Sequence, residues 1–251
     1  MATRDLTWDG CLNVRDLGGH PTTDGGETSF GAIVRADSIR QLTHDGWRAL
    51  VDYGIRTVVD LRGDHERDED PPAELPVEVV HAPFLDRDQS KWNALQPEFD
   101  RIKEHSPDGA SRTRDVYLLF LDVSKADVAA SVRAVARAPE GGVVIHCVGG
   151  KDRTGLLAAF LLHAAGVGSD EIAADYALSE ERLRPREAAW LARAETEAER
   201  DEVRHISRTP ADSMVGVFEE LERQYGRVHG YLAAAGVEAE DLGRIRGRLR
   251  G

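Results

Sequence analysis

The chain alternates short apolar runs with longer segments whose apolar residues recur every three or four positions. Residues 142–145 (Gly-Val-Val-Ile) form a brief unbroken run and residues 156–162 a longer one, and a polar, glycine-bearing stretch separates them. The first run predicts a short buried strand and the second a buried helix. Similar runs predict strands at 32–35, at 55–61 (apolar enough to be covered on both faces) and at 77–80. Between the first two of these, Trp47, Leu50 and Val51 have helical spacing over 43–53, and Gly54 provides the stop. Residues 113–138 predict helix with a break near Asp122 to Lys125. From 180 onward Leu183, Trp190, Leu191, Val215, Phe218, Leu221 and Leu232 predict an almost wholly helical end. Residues 64–76 carry three prolines, with six acids between 64 and 74, and predict a solvated loop. No internal repeat or low-complexity tract interrupts the pattern. Strands alternating with helices imply an α/β fold with a mainly parallel central sheet flanked by helices, followed by a helical C-terminal extension.

A length of 251 residues suits one α/β domain, 1–251, whose part from 184 to 251 is helical. Hydrophobic content of 41% and charged content of 31% describe a soluble globular chain. The net charge of −13 argues against nucleic acid as a partner. No apolar run could span a bilayer, so no integral membrane segment is expected. The first five residues lack the apolar stretch of a signal peptide, and the two cysteines lie far apart, so the expected compartment is the reducing cytoplasm.

Candidate chemistry lies between the two apolar runs, in His146-Cys147-Val148-Gly149-Gly150-Lys151-Asp152-Arg153-Thr154-Gly155. A loop joining a buried strand to a buried helix can curl so that its N–H groups converge above the helix N-terminus. That makes an anion site, with the Cys147 sulfur at its base and the Arg153 guanidinium at its rim. Helix N-terminus and amides stabilise a thiolate, which makes Cys147 the candidate nucleophile toward phosphorus. The five residues between Cys147 and Arg153 suffice to wrap a phosphate once, so Val148, Gly149, Gly150, Lys151, Asp152 and Arg153 are candidate substrate-binding residues. The planar fork of Arg153 can hold two equatorial oxygens and meet the charge of the transition state. Thr154 can donate its hydroxyl to the departing sulfur, and His146 orients the loop through a hydrogen bond. A nucleotide-binding loop would need Ser or Thr after Gly-Lys, where this chain has Asp152. Neither metal nor cofactor is called for, since a zinc site would need more cysteines and only Cys11 remains.

The loop resembles the signature of the cysteine-dependent protein tyrosine phosphatase superfamily, in the Gly-Lys-Asp-Arg-Thr-Gly form of a bacterial tyrosine and lipid phosphatase branch. Residues 13–19 (Asn-Val-Arg-Asp-Leu-Gly-Gly), 34–38 (Val-Arg-Ala-Asp-Ser), 58–62 (Val-Val-Asp-Leu-Arg, with Glu66 after it) and 175–179 (Asp-Tyr-Ala-Leu-Ser) are similar to that branch in order and spacing. The resemblance implies the phosphatase fold, with the catalytic loop at the C-terminal edge of the sheet. It also implies phosphotyrosine hydrolysis, with tolerance for phosphoserine and phosphothreonine. Phosphoinositides, favoured by the positive charge of Lys151, are the alternative substrate. A lid over the site is implied for residues 184–215, punctuated by Pro185 and Pro210.

The general acid is open between two residues. Asp86 ends the Pro83-Phe84-Leu85-Asp86 segment, which resembles the acid-bearing loop of phosphoinositide phosphatases. Asp152 lies in the phosphate loop, where a nearby phosphate would raise its pKa and suit it to the task. Asp152 is preferred, and Asp88 is a weaker third. Arg15, Asp16, Arg35, Ser38 and Arg62 fit buried ion pairs and strand ends, and Cys11 could protect an oxidised Cys147 through a disulfide. Two other readings compete with the phosphatase, a phosphate-binding module without turnover and rhodanese-like sulfur transfer. Intact Cys147 and Arg153 weigh against the first, and the Gly-Lys-Asp-Arg-Thr-Gly ending weighs against the second.

Overall fold

A computed structural model of the chain describes residues 3–68, 75–85 and 89–251. Its centre is one sheet in the order β1–β2–β5–β3–β4, formed by Arg15–Asp16, Ile33–Ala36, Gly142–His146, Ile55–Asp60 and Glu78–His81. Only β1 runs antiparallel to its neighbour; the other four strands are parallel. Parallel strands need crossover helices, which cover both faces. Thus Val144 faces a smaller core with Trp8, Val34, Leu50 and Val58, while Val143 and Ile145 face a larger one with Leu156, Phe160 and Tyr231. That two-sided burial is why the strands read as unbroken apolar runs.

Helix α1 (His44–Asp52) covers the smaller core; the Thr43 hydroxyl caps it by accepting from Gly46 N–H, as the spacing of Trp47 and Leu50 predicts. The larger core is covered by α4 (Gly109–Val123), α5 (Lys125–Ala136), α6 (Arg153–Ala164), α7 (Ser169–Arg182), α10 (Ala211–Tyr225), α11 (Val228–Ala235) and α12 (Ala239–Arg250). The break expected near Asp122 to Lys125 falls at Ser124, between α4 and α5.

Two departures from the sequence pattern matter for the site. Residues 64–76 do not form a loop throughout: Asp64–Asp68 is a short helix, α2, with Asp64 and Glu66 in its first turn, where carboxylates suit the positive end of the backbone dipole. Glu66 stabilises this turn by accepting from Gly63 N–H at 2.9 Å. Gln89–His105 forms a further helix, α3, which the pattern does not announce because Pro97 lies inside it and its composition is largely polar. Two more helices, α8 (Arg184–Leu191) and α9 (Glu197–Ser207), follow α7, and Thr196 and Glu199 form a reciprocal capping box at the start of α9.

Register brings the site together. Ala36 and Asp60 both pair with His146, so β2, β5 and β3 end level with one another. The segments that follow β5 and β3 line one crevice at these carboxyl ends, the place where parallel sheets bind ligands.

Candidate active site

The segment between β5 and α6 turns its carbonyls outward. Val148 O accepts from Ser38 N–H and from Arg186 Nη1, both at 3.1 Å. Gly149 O accepts from Asn13 Nδ2 at 3.3 Å, and Gly150 O from Asn13 Nδ2 at 3.1 Å and Arg35 Nη2 at 2.8 Å. A peptide whose carbonyl points away from the centre presents its N–H toward it. Gly150 N–H accordingly donates to Cys147 Sγ at 3.3 Å. At φ +68°, Gly150 also lies so close to β2 that an added Cβ would fall 2.5 Å from Ala36 O. Only glycine meets both conditions.

The outward bonds rest on a buried ionic cluster. Arg15 donates from Nε to Asp175 Oδ1 at 2.8 Å, and Arg35 from Nη1 to Asp175 Oδ2 at 2.7 Å. Arg15 also donates to Asn13 Oδ1 at 2.6 Å, which turns the Asn13 amide nitrogen toward the loop. Burial alone would raise the Asp175 carboxyl, but Arg15 and then Arg35 hold it far below the usual carboxylate range. Asp37 accepts from the N–H groups of Leu12 and Asn13 and from Arg186, so α8 is fixed to the same frame.

Cys147, buried at the base of the crevice, is a free thiol. His146 Nδ1 lies 3.1 Å from Cys147 O, and Nε2 lies 3.5 Å from Asp60 Oδ1. Arg62 grips the same carboxylate with Nε and Nη2 at 3.0 and 2.8 Å. Burial opposes the Asp60 charge, yet Arg62 and His146 lower its pKa to about 2. Arg153 opens α6 and gives Nη1 and Nη2 to Glu66 at 2.5 and 2.8 Å, and Nη1 to Leu61 O at 3.5 Å. Of the five N–H groups of a guanidinium, Nε–H and one on Nη2, on a single edge, have no partner among the described residues. That edge can face two oxygens of a phosphate.

Two neighbouring side chains, Asp152 and Thr154, have surroundings that their spacing does not show. The rise expected of the Asp152 carboxyl rests on a phosphate beside it; its protein partners act the other way, since Lys151 Nζ at 2.9 Å and Tyr117 Oη at 2.6 Å both donate to its Oδ1. Burial would push the carboxyl up, but the charge of Lys151 and these hydrogen bonds outweigh it and hold the pKa below its ordinary value. The Thr154 hydroxyl does not reach the sulfur: it is buried without a partner among the described residues, and the Gly150 amide supplies the bond to Sγ. Asp86 and Asp88 lie outside the described residues. Cys11 donates to Ser38 O, and burial followed by the charge of Asp37 pushes its thiol up, which makes it a poor nucleophile.

Above the loop lies a cleft of about 750 Å³ walled by α3, α4, α8 and α9. Val116, Phe120, Trp190 and Ile206 give it an apolar side; Lys103, Arg112, Lys151 and Arg208 bring positive charge, with Asp100, Glu202 and His205, whose pKa burial lowers, among them. Among the described residues no group of three or more His, Cys, Asp or Glu side chains could hold a metal ion, and no helix is long and apolar enough to cross a membrane.

Residues 6–251 match the model of a family described as the tyrosine phosphatase family. The chain belongs to this family. It is 29% identical, over 282 aligned positions spanning the whole of both chains, to a "Triple specificity protein phosphatase PtpB" of Mycobacterium tuberculosis. It is 28% identical to a "Tyrosine-protein phosphatase" of Nostoc commune, over 87% of this chain and 74% of that one. This tyrosine phosphatase family member is therefore a phosphatase enzyme with a phosphorylated substrate. Its frame residues Asn13, Asp37, Glu66, Asp175 and Tyr176 all occur in the blocks similar to the bacterial branch, but nothing in their spacing shows which pairs they form. Tyr117, Arg186, Glu202 and His205 lie outside those blocks and carry no signal of their own.

Proposed function

We propose that this phosphatase hydrolyses phosphate monoesters through a phosphocysteine on Cys147, with phosphotyrosine in proteins as its leading substrate. The observation that carries this reading is the ring of outward-turned carbonyls, which aims the amides of the loop at the space above Sγ. The Cys147 thiolate attacks phosphorus, while Val148 to Arg153 hold the three equatorial oxygens through N–H groups and the free edge of Arg153. As the bond to the leaving oxygen breaks, Asp152 supplies a proton to it. A water then attacks phosphorus, gives its proton to Asp152, and the P–S bond breaks to return the thiolate.

The apolar side of the cleft supports an aromatic leaving group, since a phenyl ring needs a pocket with few polar partners to satisfy. Activity on phosphoserine and phosphothreonine belongs to this reading as a weaker activity. A second reading, phosphoinositide hydrolysis, is favoured by Lys103, Arg112, Lys151 and Arg208, which line the same cleft on a chain of net charge −13. We read 1–251 as one phosphatase domain in which α8 and α9, within 184–215, cover the site. Arg112 Nη2 lies 3.6 Å from Glu202 Oε1 and so links α4 to α9 across the cleft.

The test is phosphate release from p-nitrophenyl phosphate, a phosphotyrosine peptide and a phosphoinositide by wild type and Cys147→Ser. Turnover by wild type alone, with ³²P trapped on Cys147 after acid quench, supports the reading. Turnover by Cys147→Ser, or no trapped phosphorus, overturns it. A phosphoinositide cleaved faster than the peptide would promote the second reading. Slower hydrogen exchange in 184–207 on binding vanadate is expected of a lid.

A further inference from the structure

Tyr117 lies on α4, packed edge-on against Tyr176 of α7, and both side chains are essentially fully buried. Their hydroxyls are 2.8 Å apart, and Tyr117 Oη is 2.6 Å from Asp152 Oδ1. Two buried phenols could satisfy each other and stop there. Here the chain has a direction: the single Tyr117 proton goes to the carboxylate, so Tyr176 must donate to Tyr117. Lys151 donates to the same oxygen, Oδ1, at 2.9 Å. Among the described residues nothing is bonded to Oδ2, which is left as the oxygen that carries and transfers a proton.

We propose that Tyr117, oriented by Tyr176, is a positioning residue for Asp152: it occupies Oδ1 and so presents Oδ2 to the leaving group. The inference rests on Asp152 being the general acid. In the first half-reaction Oδ2–H gives its proton to the leaving oxygen as the P–O bond breaks. The new carboxylate charge is then met at Oδ1 by the Tyr117 hydroxyl and the Lys151 ammonium. In the second half Oδ2 takes a proton from the attacking water as the P–S bond breaks. The groups that face Asp152 are Lys151 beside it, Arg153 from α6, Tyr117 from α4 and Tyr176 from α7. Of these, Lys151, Arg153 and the Tyr117 hydroxyl favour the ionised carboxyl. Loss of that hydroxyl therefore moves Asp152 upward and makes it a weaker acid with a loose orientation.

The experiment compares Tyr117→Phe, Tyr176→Phe, Asp152→Asn and the double variant Tyr117→Phe/Asp152→Asn on p-nitrophenyl phosphate and phenyl phosphate, across pH. Phenyl phosphate has the poorer leaving group and depends more on the acid. Tyr117→Phe is expected to lose about tenfold in kcat on phenyl phosphate and less than about threefold on p-nitrophenyl phosphate, while the alkaline limb of kcat/KM moves to higher pH. Tyr176→Phe should act in the same direction to a smaller extent, and it provides the readout if Tyr117→Phe folds poorly. In the Asp152→Asn background the Tyr117→Phe effect should vanish. Equal losses on both substrates, an unmoved alkaline limb, or an effect that persists without the carboxylate would overturn the inference. If Asp152→Asn itself shows no preference for the better leaving group, the general-acid reading fails, and the inference with it. If Asp152→Asn shows that preference and Tyr117→Phe does not, the inference alone fails.

Discussion

Glu66 grips Arg153 end-on, with Oε2 on Nη1 at 2.5 Å and Oε1 on Nη2 at 2.8 Å. The pair fixes which edge of the guanidinium faces the loop, because the end of the fork is already committed. Burial opposes the charge on Arg153, but Glu66 outweighs it and holds the guanidinium above its usual range. Glu66→Gln keeps the shape and gives up the charge, so Arg153 should lose its fixed orientation before it loses its place. The expected result is a fall of about 10- to 100-fold in kcat/KM on p-nitrophenyl phosphate, with vanadate inhibition weakened in parallel. Steady-state kinetics with vanadate titration check this, and an unchanged vanadate affinity would mean that Arg153 orients itself.

Asp175 pairs with two arginines at once. Arg15 and Arg35 both donate to it within a fully buried cluster. Asp175→Asn removes the charge and leaves two buried guanidinium groups uncompensated, which costs about 3–5 kcal/mol for a broken buried pair. Because Arg35 and Asn13 hold the outward carbonyls of the phosphate loop, lost stability should come with lost activity. Thermal unfolding and phosphatase assay of the same preparation test both halves. An Asp175→Asn protein with wild-type Tm would show that the cluster relaxes without cost.

Gly150 tolerates no side chain, for two separate reasons. Its φ of +68° is left-handed, and an added Cβ would lie 2.5 Å from a backbone oxygen of β2 that cannot move aside. Gly150→Ala should therefore displace the loop from β2 and carry the Gly150 N–H away from Sγ. Strain of about 1–3 kcal/mol is expected at such a residue, together with a loss of about 100-fold or more in kcat, since the amides stabilise the transition state. Gly149→Ala is the control: its added Cβ meets nothing closer than an Arg186 side-chain nitrogen at 3.4 Å, an ordinary van der Waals contact, so it should retain most activity.

The strands and the phosphate loop were readable because each rests on local rules. Unbroken apolar runs at 55–61 and 142–145 mark strands covered on both faces, and Cys147 and Arg153 stand six positions apart in one continuous stretch. What could not be read is what the third dimension supplies. Arg15 and Asp175 are 160 positions apart, and Glu66 reaches Arg153 across 87. Helix α2 carries no apolar stripe at all: it is a single turn whose Glu66 faces the site and whose surroundings are acidic. Asp152 illustrates the limit best. Its place in the loop suggests that a bound phosphate raises its carboxyl, but not that Tyr117, 35 positions earlier, and Lys151 converge on Oδ1 and pull the other way. Tertiary hydrogen bonds of this kind leave no periodic trace.

Away from the catalytic crevice, His163 at the end of α6 lies against His229 of α11, with ring centroids 5.0 Å apart, and against Phe218 of α10. Burial, and then the charge of His229, lower the His163 pKa to about 4, and burial with Arg227 and Arg246 lowers His229 as well. The unfolded imidazole titrates near about 6.5. Between those values the unfolded chain binds more protons than the folded one, so stability rises with pH. It is fully present above about pH 6.5, is lost as pH falls toward about 4, and changes no further below that. The slope for one proton approaches about 1.4 kcal/mol per pH unit, and partial solvent screening of these half-buried rings reduces it. His163→Leu, which keeps the packing on Phe218 without the titrating ring, should flatten the curve between pH 6.5 and 4 and leave phosphatase activity at its optimum unchanged. Urea unfolding at several pH values measures this. A wild-type curve already flat across that window would show that the pair takes up its proton without opening the α6–α11 contact.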